Sequence, residues 1–291
     1  MRTPEPTSKR IRVSPKALDN DEAAPVQDLT GRSCFGLKRE DDEDSNTSIA
    51  TATQCIAPKL DKIPHLFIVD LQKGSTDDVV AALKQISHLV NAKDSDNPSD
   101  PAVKNWKEMQ QLGPMTLVVL CMQKWPKAQS IQVWSCIALA NMLDVSYSCG
   151  GGRAAMANSG GVEAVLSALK TFLDSAQLQS EALRALQNFF TCKQSDGESK
   201  VVLANFAGRF IELEGISLVV QTTKRFHDNV DLLFASCGLL YNLSLLEKHH
   251  DELVKHGAVE AVASIQKRHF GNEELKKEAE EFLAKMFTKK T

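Results

Sequence analysis

The sequence predicts an all-α fold, a solenoid of stacked helices behind a disordered amino-terminal tail, and three observations lead there. From His65 onward no alternating strand pattern bounded by Asn-Gly-type turns occurs, whereas apolar residues at helical spacing recur throughout. A glycine context returns four times, at Gly113, Gly161, Gly215 and Gly257, with steps of 161−113 = 48, 215−161 = 54 and 257−215 = 42. Self-similarity on that length scale marks a repeat architecture. Composition also changes near Lys62: the residues before it hold Pro4, Pro6, Pro15, Pro25, Pro58 and an acidic run from Glu40 to Asp44. They carry too few apolar groups to offset the entropy of ordering the chain.

Residues 1–62 are therefore read as a polar tail and residues 63–291 as the repeat domain. In the tail, "SKRIRVSP" (Ser8 to Pro15) joins a basic cluster to a Ser-Pro dipeptide, and Thr3 precedes Pro4. Thr3 and Ser14 are candidate phosphorylation sites, and phosphate on Ser14 would set negative charge beside Arg10 and Arg12. The cluster reads as a short nuclear-import signal or as an ordinary charged tail.

The repeats follow in order, each a short first helix ending near the glycine, a second helix of about ten residues and a longer third helix. "DVVAALKQISHLV" supplies the third helix of a partial leading repeat. In the first full repeat Gly113 makes the turn, Pro114 suits the first turn of the second helix, and "SCIALANML" carries Asn141. In the second, Gly160 and Gly161 punctuate, Val162, Val165, Leu166, Leu169 and Leu173 form one apolar stripe, and "EALRALQNFF" carries Asn188. The third runs from "ELEGISLVVQTTKR" to "SCGLLYNLSL" with Asn242. Glycine and asparagine are separated by 141−113 = 28, 188−161 = 27 and 242−215 = 27 residues. His88 takes the asparagine place in the leading repeat and Lys285 takes it in the terminal one. There Glu273, Glu274, Lys276, Lys277 and Glu280 form a charged outer face that caps the array. Length varies in the return segments, Asp144 to Arg153 and Thr191 to Lys200, which read as surface loops.

The spaced glycines, the "GVEAV" and "AVEAV" segments and the "ALAN", "ALQN" and "LLYN" helices, from about Pro64 to Phe287, resemble the armadillo repeat family. HEAT repeats share the architecture. The resemblance implies a right-handed superhelix whose third helices line a concave groove for extended peptides, with a ladder of asparagines at Asn141, Asn188 and Asn242 holding the ligand backbone. An amide suits that task because it offers donor and acceptor together.

Positions four and seven before each asparagine share its helix face: Ile137 and Trp134, Arg184 and Glu181, Gly238 and Ala235. Trp134, Ile137, Asn141, Glu181, Arg184, Asn188 and Asn242 are the candidate partner-binding residues, with Trp134 as an aromatic anchor. Competing readings stand beside these: the asparagines tie neighbouring helices together, Trp134 packs against the next repeat, and Glu181 and Arg184 form a solvated ion pair. Importin-alpha proteins place Trp four residues before the ladder Asn in successive repeats, where this chain has Ile137, Arg184 and Gly238. That departure speaks against an import-receptor role.

Composition narrows the function classes. Lys and Arg total 34 against 37 Asp and Glu, a net charge of −3, without the footprint of a nucleic-acid binder. The 7 cysteines are scattered, with no C-x-x-C pair, which predicts reduced thiols in cytoplasm or nucleus. The longest apolar run, Met115 to Met122, is far short of the ~20 residues that span a bilayer, and no apolar segment opens the chain. "CGGGR" (Cys149 to Arg153) lacks a P-loop ending, His249, His250 and His256 lack companion ligands, and no catalytic signature occurs. The expectation is a non-enzymatic adaptor or scaffold for a protein or peptide, with no cofactor, metal, nucleic acid, membrane or small-molecule substrate. The alternatives are a regulatory subunit that clamps an enzyme and a transport-related adaptor.

Overall fold

A computed structural model describes residues 74–191 and 197–288. The expected tail, with Thr3, Ser14 and the basic cluster, lies outside them. Helix α1 (Thr76–Leu89) is the leading third helix. The first full repeat is α2 (Pro101–Met109), extended by a 3-10 turn (Gln110–Leu112), then α3 (Pro114–Lys124) and α4 (Gln129–Cys149). The second is α5 (Gly152–Asn158), α6 (Gly161–Thr171) and α7 (Ala176–Phe190); the third is α8 (Gly197–Glu212), α9 (Gly215–Arg225) and α10 (Val230–Ser244). A 3-10 turn (Glu247–His249) leads into the terminal set, α11 (His250–Lys255), α12 (Ala258–Arg268) and α13 (Glu273–Phe287).

Third helices stack on third helices of adjacent repeats, in the order α1, α4, α7, α10, α13, and the second helices form a parallel row, α3, α6, α9, α12. This is an armadillo-type α-solenoid, in which each unit buries its apolar face against its neighbours. One continuous core runs the length of the array, from Val79 and Leu83 in α1 to Leu275 and Phe282 in α13.

Each third helix starts from a fixed point. Ser75, Ser175, Asn229 and Asn272 are N-caps whose side chains accept a bond from the backbone N–H three residues on, and Ala128 takes the same place without a side-chain bond. Counting from cap to ladder place gives 88−75, 141−128, 188−175, 242−229 and 285−272, which all equal 13. His88 and Lys285 therefore do occupy the ladder register.

The glycine register needs a correction. The residue that turns the chain with a left-handed backbone is Gly113 (φ 65°), Gly160 (75°), Glu214 (63°) and Gly257 (75°). Gly161 and Gly215 stand one place later, where Pro114 and Ala258 stand in the other units, so the sequence period mixed two positions. A Cβ on Gly161 would lie 2.6 Å from Met156 Cγ, and one on Gly215 2.5 Å from the Phe210 ring. Those two glycines let the first helix pack against the second; they do not make the turn. Recounted from the turn residue, the ladder lies at 141−113, 188−160, 242−214 and 285−257, all equal to 28.

The described parts of the expected loop insertions include helix. Asp144 to Cys149 prolong α4, where Val145 and Ser146 stay buried, and α8 begins at Gly197 inside the segment read as a loop. In the first insertion the extra length is stored as added helical turn. Leu173 leaves its predicted stripe because α6 stops at Thr171, and it is exposed.

Candidate partner-binding site

The third-helix layer brings the candidate residues into one register, and each asparagine uses its donor in the same way. Asn141 Nδ2 donates to Ser87 O at 3.1 Å, Asn188 Nδ2 to Ala140 O at 3.0 Å, and Asn242 Nδ2 to Gln187 O at 3.4 Å and Thr191 Oγ1 at 3.1 Å. Every acceptor carbonyl belongs to the residue just before the ladder place of the preceding repeat. Near the end of α1 the Ser87 carbonyl receives no backbone N–H from its own helix, so there the side-chain amide also acts as a cap supplied by the next repeat, whereas Gln187 O already accepts from Thr191 N at 2.9 Å. All three asparagines are buried.

The amide oxygens differ. Asn141 Oδ1 accepts from Arg184 Nη1 at 2.9 Å, while Asn188 Oδ1 and Asn242 Oδ1 accept no bond among the described residues. The cause lies four residues before the ladder place on the following helix, at Arg184, Gly238 and Glu281 in turn. Only the first carries a donor that reaches back.

Arg184 and Glu181 are a buried pair, which corrects the solvated-face reading. Arg184 Nε and Nη2 both donate to Glu181 Oε2, at 2.9 and 2.8 Å, and both side chains are less than one-tenth exposed. Enclosure between α4 and α7 accounts for this. The third donor direction of the guanidinium goes to Asn141, so a planar fork joins two repeats.

Trp134 is buried on the side of the preceding repeat. Lys84 Nζ lies 5.1 Å from its ring centroid, and the His88 ring stands 6.5 Å away, tilted. Ile137, one turn on, is also buried. At the third repeat the space beside Gly238 is filled, since a Cβ there would fall 2.1 Å from Gln187 Nε2. Gln187 Oε1 is buried without a partner.

Sequence reasoning missed four contributors. Arg153, read as part of a linker, donates from Nε to Phe189 O at 3.0 Å and from Nη2 to Thr191 O, closing the carboxyl end of α7. Gln132 and Gln179 each donate to two carbonyls at the end of the second helix of their own repeat. Glu278 lies on α13 seven residues before Lys285; it is 5 % exposed, with Oε2 unpartnered. Its carboxyl is pushed up to about 7, by burial first and then by Glu281. The signal available in the sequence was its place, the same as that of Glu181 and Trp134.

The weaker motifs resolve into local contacts. His256 Nδ1 lies 2.6 Å from Ser217 Oγ, and His250 Nε2 2.7 Å from Ser244 O. His249 is buried, and burial holds its imidazole below the ordinary value. Among the described residues no group of three His, Cys, Asp or Glu forms a metal-ligand set, and no single helix is long and apolar enough to cross a membrane. Cys121, Cys136 and Cys237 are free and buried, and burial pushes the Cys121 thiol up to about 12.

A family model of the LRRK2 ARM repeat matches residues 108–291. The chain belongs to the LRRK2 ARM repeat family. The ARM match starts at Glu108, within α2, and takes in every ladder asparagine. No curated protein and no solved structure matches the chain. ARM repeat solenoids are typical protein-interaction scaffolds, commonly bind protein partners and are generally non-catalytic.

Proposed function

We propose that the chain is a non-enzymatic scaffold that holds an extended segment of a partner protein across its third-helix layer. The observation that carries this reading is the pair of open acceptors, Asn188 Oδ1 and Asn242 Oδ1, held in place because their own amide nitrogens are anchored to the preceding helix. An anchored acceptor loses little freedom when it receives a peptide N–H, so pre-organisation favours binding. Asn141, with both amide atoms engaged, serves the scaffold, and Glu181 and Arg184 brace it. At that end Trp134 is buried beneath Lys84 and His88 beside the buried Ile137, and the partner meets Lys84 and His88 on this apolar support. The compartment proposed is cytoplasm or nucleus, on the strength of scattered cysteines of which Cys121, Cys136 and Cys237 are free thiols.

The test is quantitative affinity capture from native lysate with the full chain. Wild type is compared with Asn188→Ala/Asn242→Ala and with Asn141→Ala, after thermal melts show all three folded. Loss of a common set of partners in the double variant, with retention in Asn141→Ala, is the expected result. Retention of every partner in all three sinks the proposal and directs attention to the second-helix face.

A further inference from the structure

The repeats provide an internal comparison. In α7, Glu181 lies seven residues and Arg184 four residues before the ladder place, and the guanidinium bridges Glu181 Oε2 to Asn141 Oδ1 of the preceding third helix. In α13 the same two places hold Glu278 and Glu281, and the preceding ladder residue is Asn242. The two interfaces are built alike, since α13 packs on α10 as α7 packs on α4 and each starts 13 residues before its ladder place (188−175 and 285−272).

Electrostatics supports the equivalence. After burial, the largest influence on the Cys136 thiol is Glu181, and that on Cys237 is Glu278. Both cysteines stand five residues before their ladder asparagine (141−136 and 242−237). Glu278 therefore sits against α10 where Glu181 sits against α4. The cation that completes the arrangement in α7 has no counterpart in α13. Two atoms are left over that Arg184 satisfies in the earlier copy: Glu278 Oε2, buried and unpartnered, and Asn242 Oδ1.

The geometry points to a site between α10 and α13 for an arginine side chain of a partner protein, its guanidinium bridging Glu278 and Asn242 Oδ1 as Arg184 bridges Glu181 and Asn141 Oδ1. This deepens the proposed function and rests on the same layer. A guanidinium fits better than a compact ammonium because the copy in α7 uses its fork to reach carboxylate and amide together. The surroundings favour positive charge. Glu281 adds a second carboxylate, whose Oε1 lies 3.8 Å from Lys277 Nζ. Lys285 lies on the same helix face and forms no ion pair among the described residues, and from α10 the facing titratable groups are Tyr241 and Cys237, both held neutral by pKa values that burial raises.

The experiment follows the Glu278 carboxyl by 13C NMR in the full chain, assigned with Glu278→Gln. Two probes are compared at equal ionic strength, the peptide acetyl-Gly-Gly-Arg-Gly-Gly-amide and its neutral citrulline counterpart. The arginine peptide is expected to saturate at millimolar concentration and to lower the Glu278 midpoint by roughly one pH unit or more, with no effect from citrulline. Glu281→Arg, which restores the α7 pattern within the chain, is expected to melt higher, to lower the same midpoint without peptide and to abolish the peptide response. An unmoved midpoint with the arginine peptide up to about 50 mM overturns the site. An unmoved midpoint in Glu281→Arg overturns the register argument. A rise in midpoint after Lys9→Ala/Arg10→Ala/Arg12→Ala assigns the site to the chain's own tail and overturns a partner as the source, and an equal shift by Mg2+ makes it a metal site. Failure here alongside partner loss in Asn188→Ala/Asn242→Ala removes the arginine site and leaves the scaffold reading standing.

Discussion

Glu278 and Glu181 show how one residue type in one register acquires opposite character from a single neighbour. Glu181 has Arg184, and Glu278 has Glu281 instead. The folded protein raises the Glu278 carboxyl from 4.5 to about 7, so it binds more protons than the unfolded chain between those limits. Its contribution is most favourable below 4.5, declines as pH rises through the window and levels off above 7. Relative to wild type, Glu278→Gln should gain stability across that window, by at most about 3 kcal/mol, as read by urea denaturation at pH 4.5 and pH 8. Arg184→Ala should act the other way, losing about 3 to 5 kcal/mol because it strands both Glu181 and Asn141 Oδ1 in a buried setting. Replacing Glu181 and Arg184 together with methionine should lose less than Arg184→Ala alone. The sequence placed these residues on one face, but not their burial, because enclosure comes from packing against the neighbouring third helix.

At the scale of the element, the turn before each second helix was legible as a glycine signal and misassigned by one place. The reason is chemical: Gly161 and Gly215 are fixed by contact with Met156 and Phe210, and the left-handed turn is made at the preceding position, by Glu214 in the third repeat. Two substitutions separate the roles. Gly215→Ala should destabilise by about 1 to 3 kcal/mol by driving a methyl into the Phe210 ring. Glu214→Gly should stabilise by about 1 kcal/mol in the same thermal or urea assay, by relieving a left-handed backbone at a residue with a Cβ. Its exposed ion pair with Lys170, at 3.8 Å, offsets little of that gain. Helix lengths were less legible than helix identities. The continuation of α4 past Asn141 rests on Val145 and Ser146 finding buried places that no local pattern announces.

For the whole molecule, the main helix contacts among the described residues lie within a repeat or between adjacent repeats, so perturbations should stay local. Asn141→Ala removes the tie between α1 and α4; hydrogen exchange should rise in α1 and leave α13 at its wild-type rate. A uniform rise along the chain would show that the array opens as one cooperative unit. The solenoid itself was readable because its repeat is long and its ladder recurs, whereas the empty cation place emerges only when two interfaces are laid over each other. The constant distance from cap to ladder place has a further effect, on what lies across the row. Ladder residues sit at equal depth on helices whose axes are about 8 to 10 Å apart, while an extended chain advances about 3.3 Å per residue. A ligand strand thus meets equivalent positions roughly every third residue, and a binding motif for this surface should carry its informative side chains with a triplet beat.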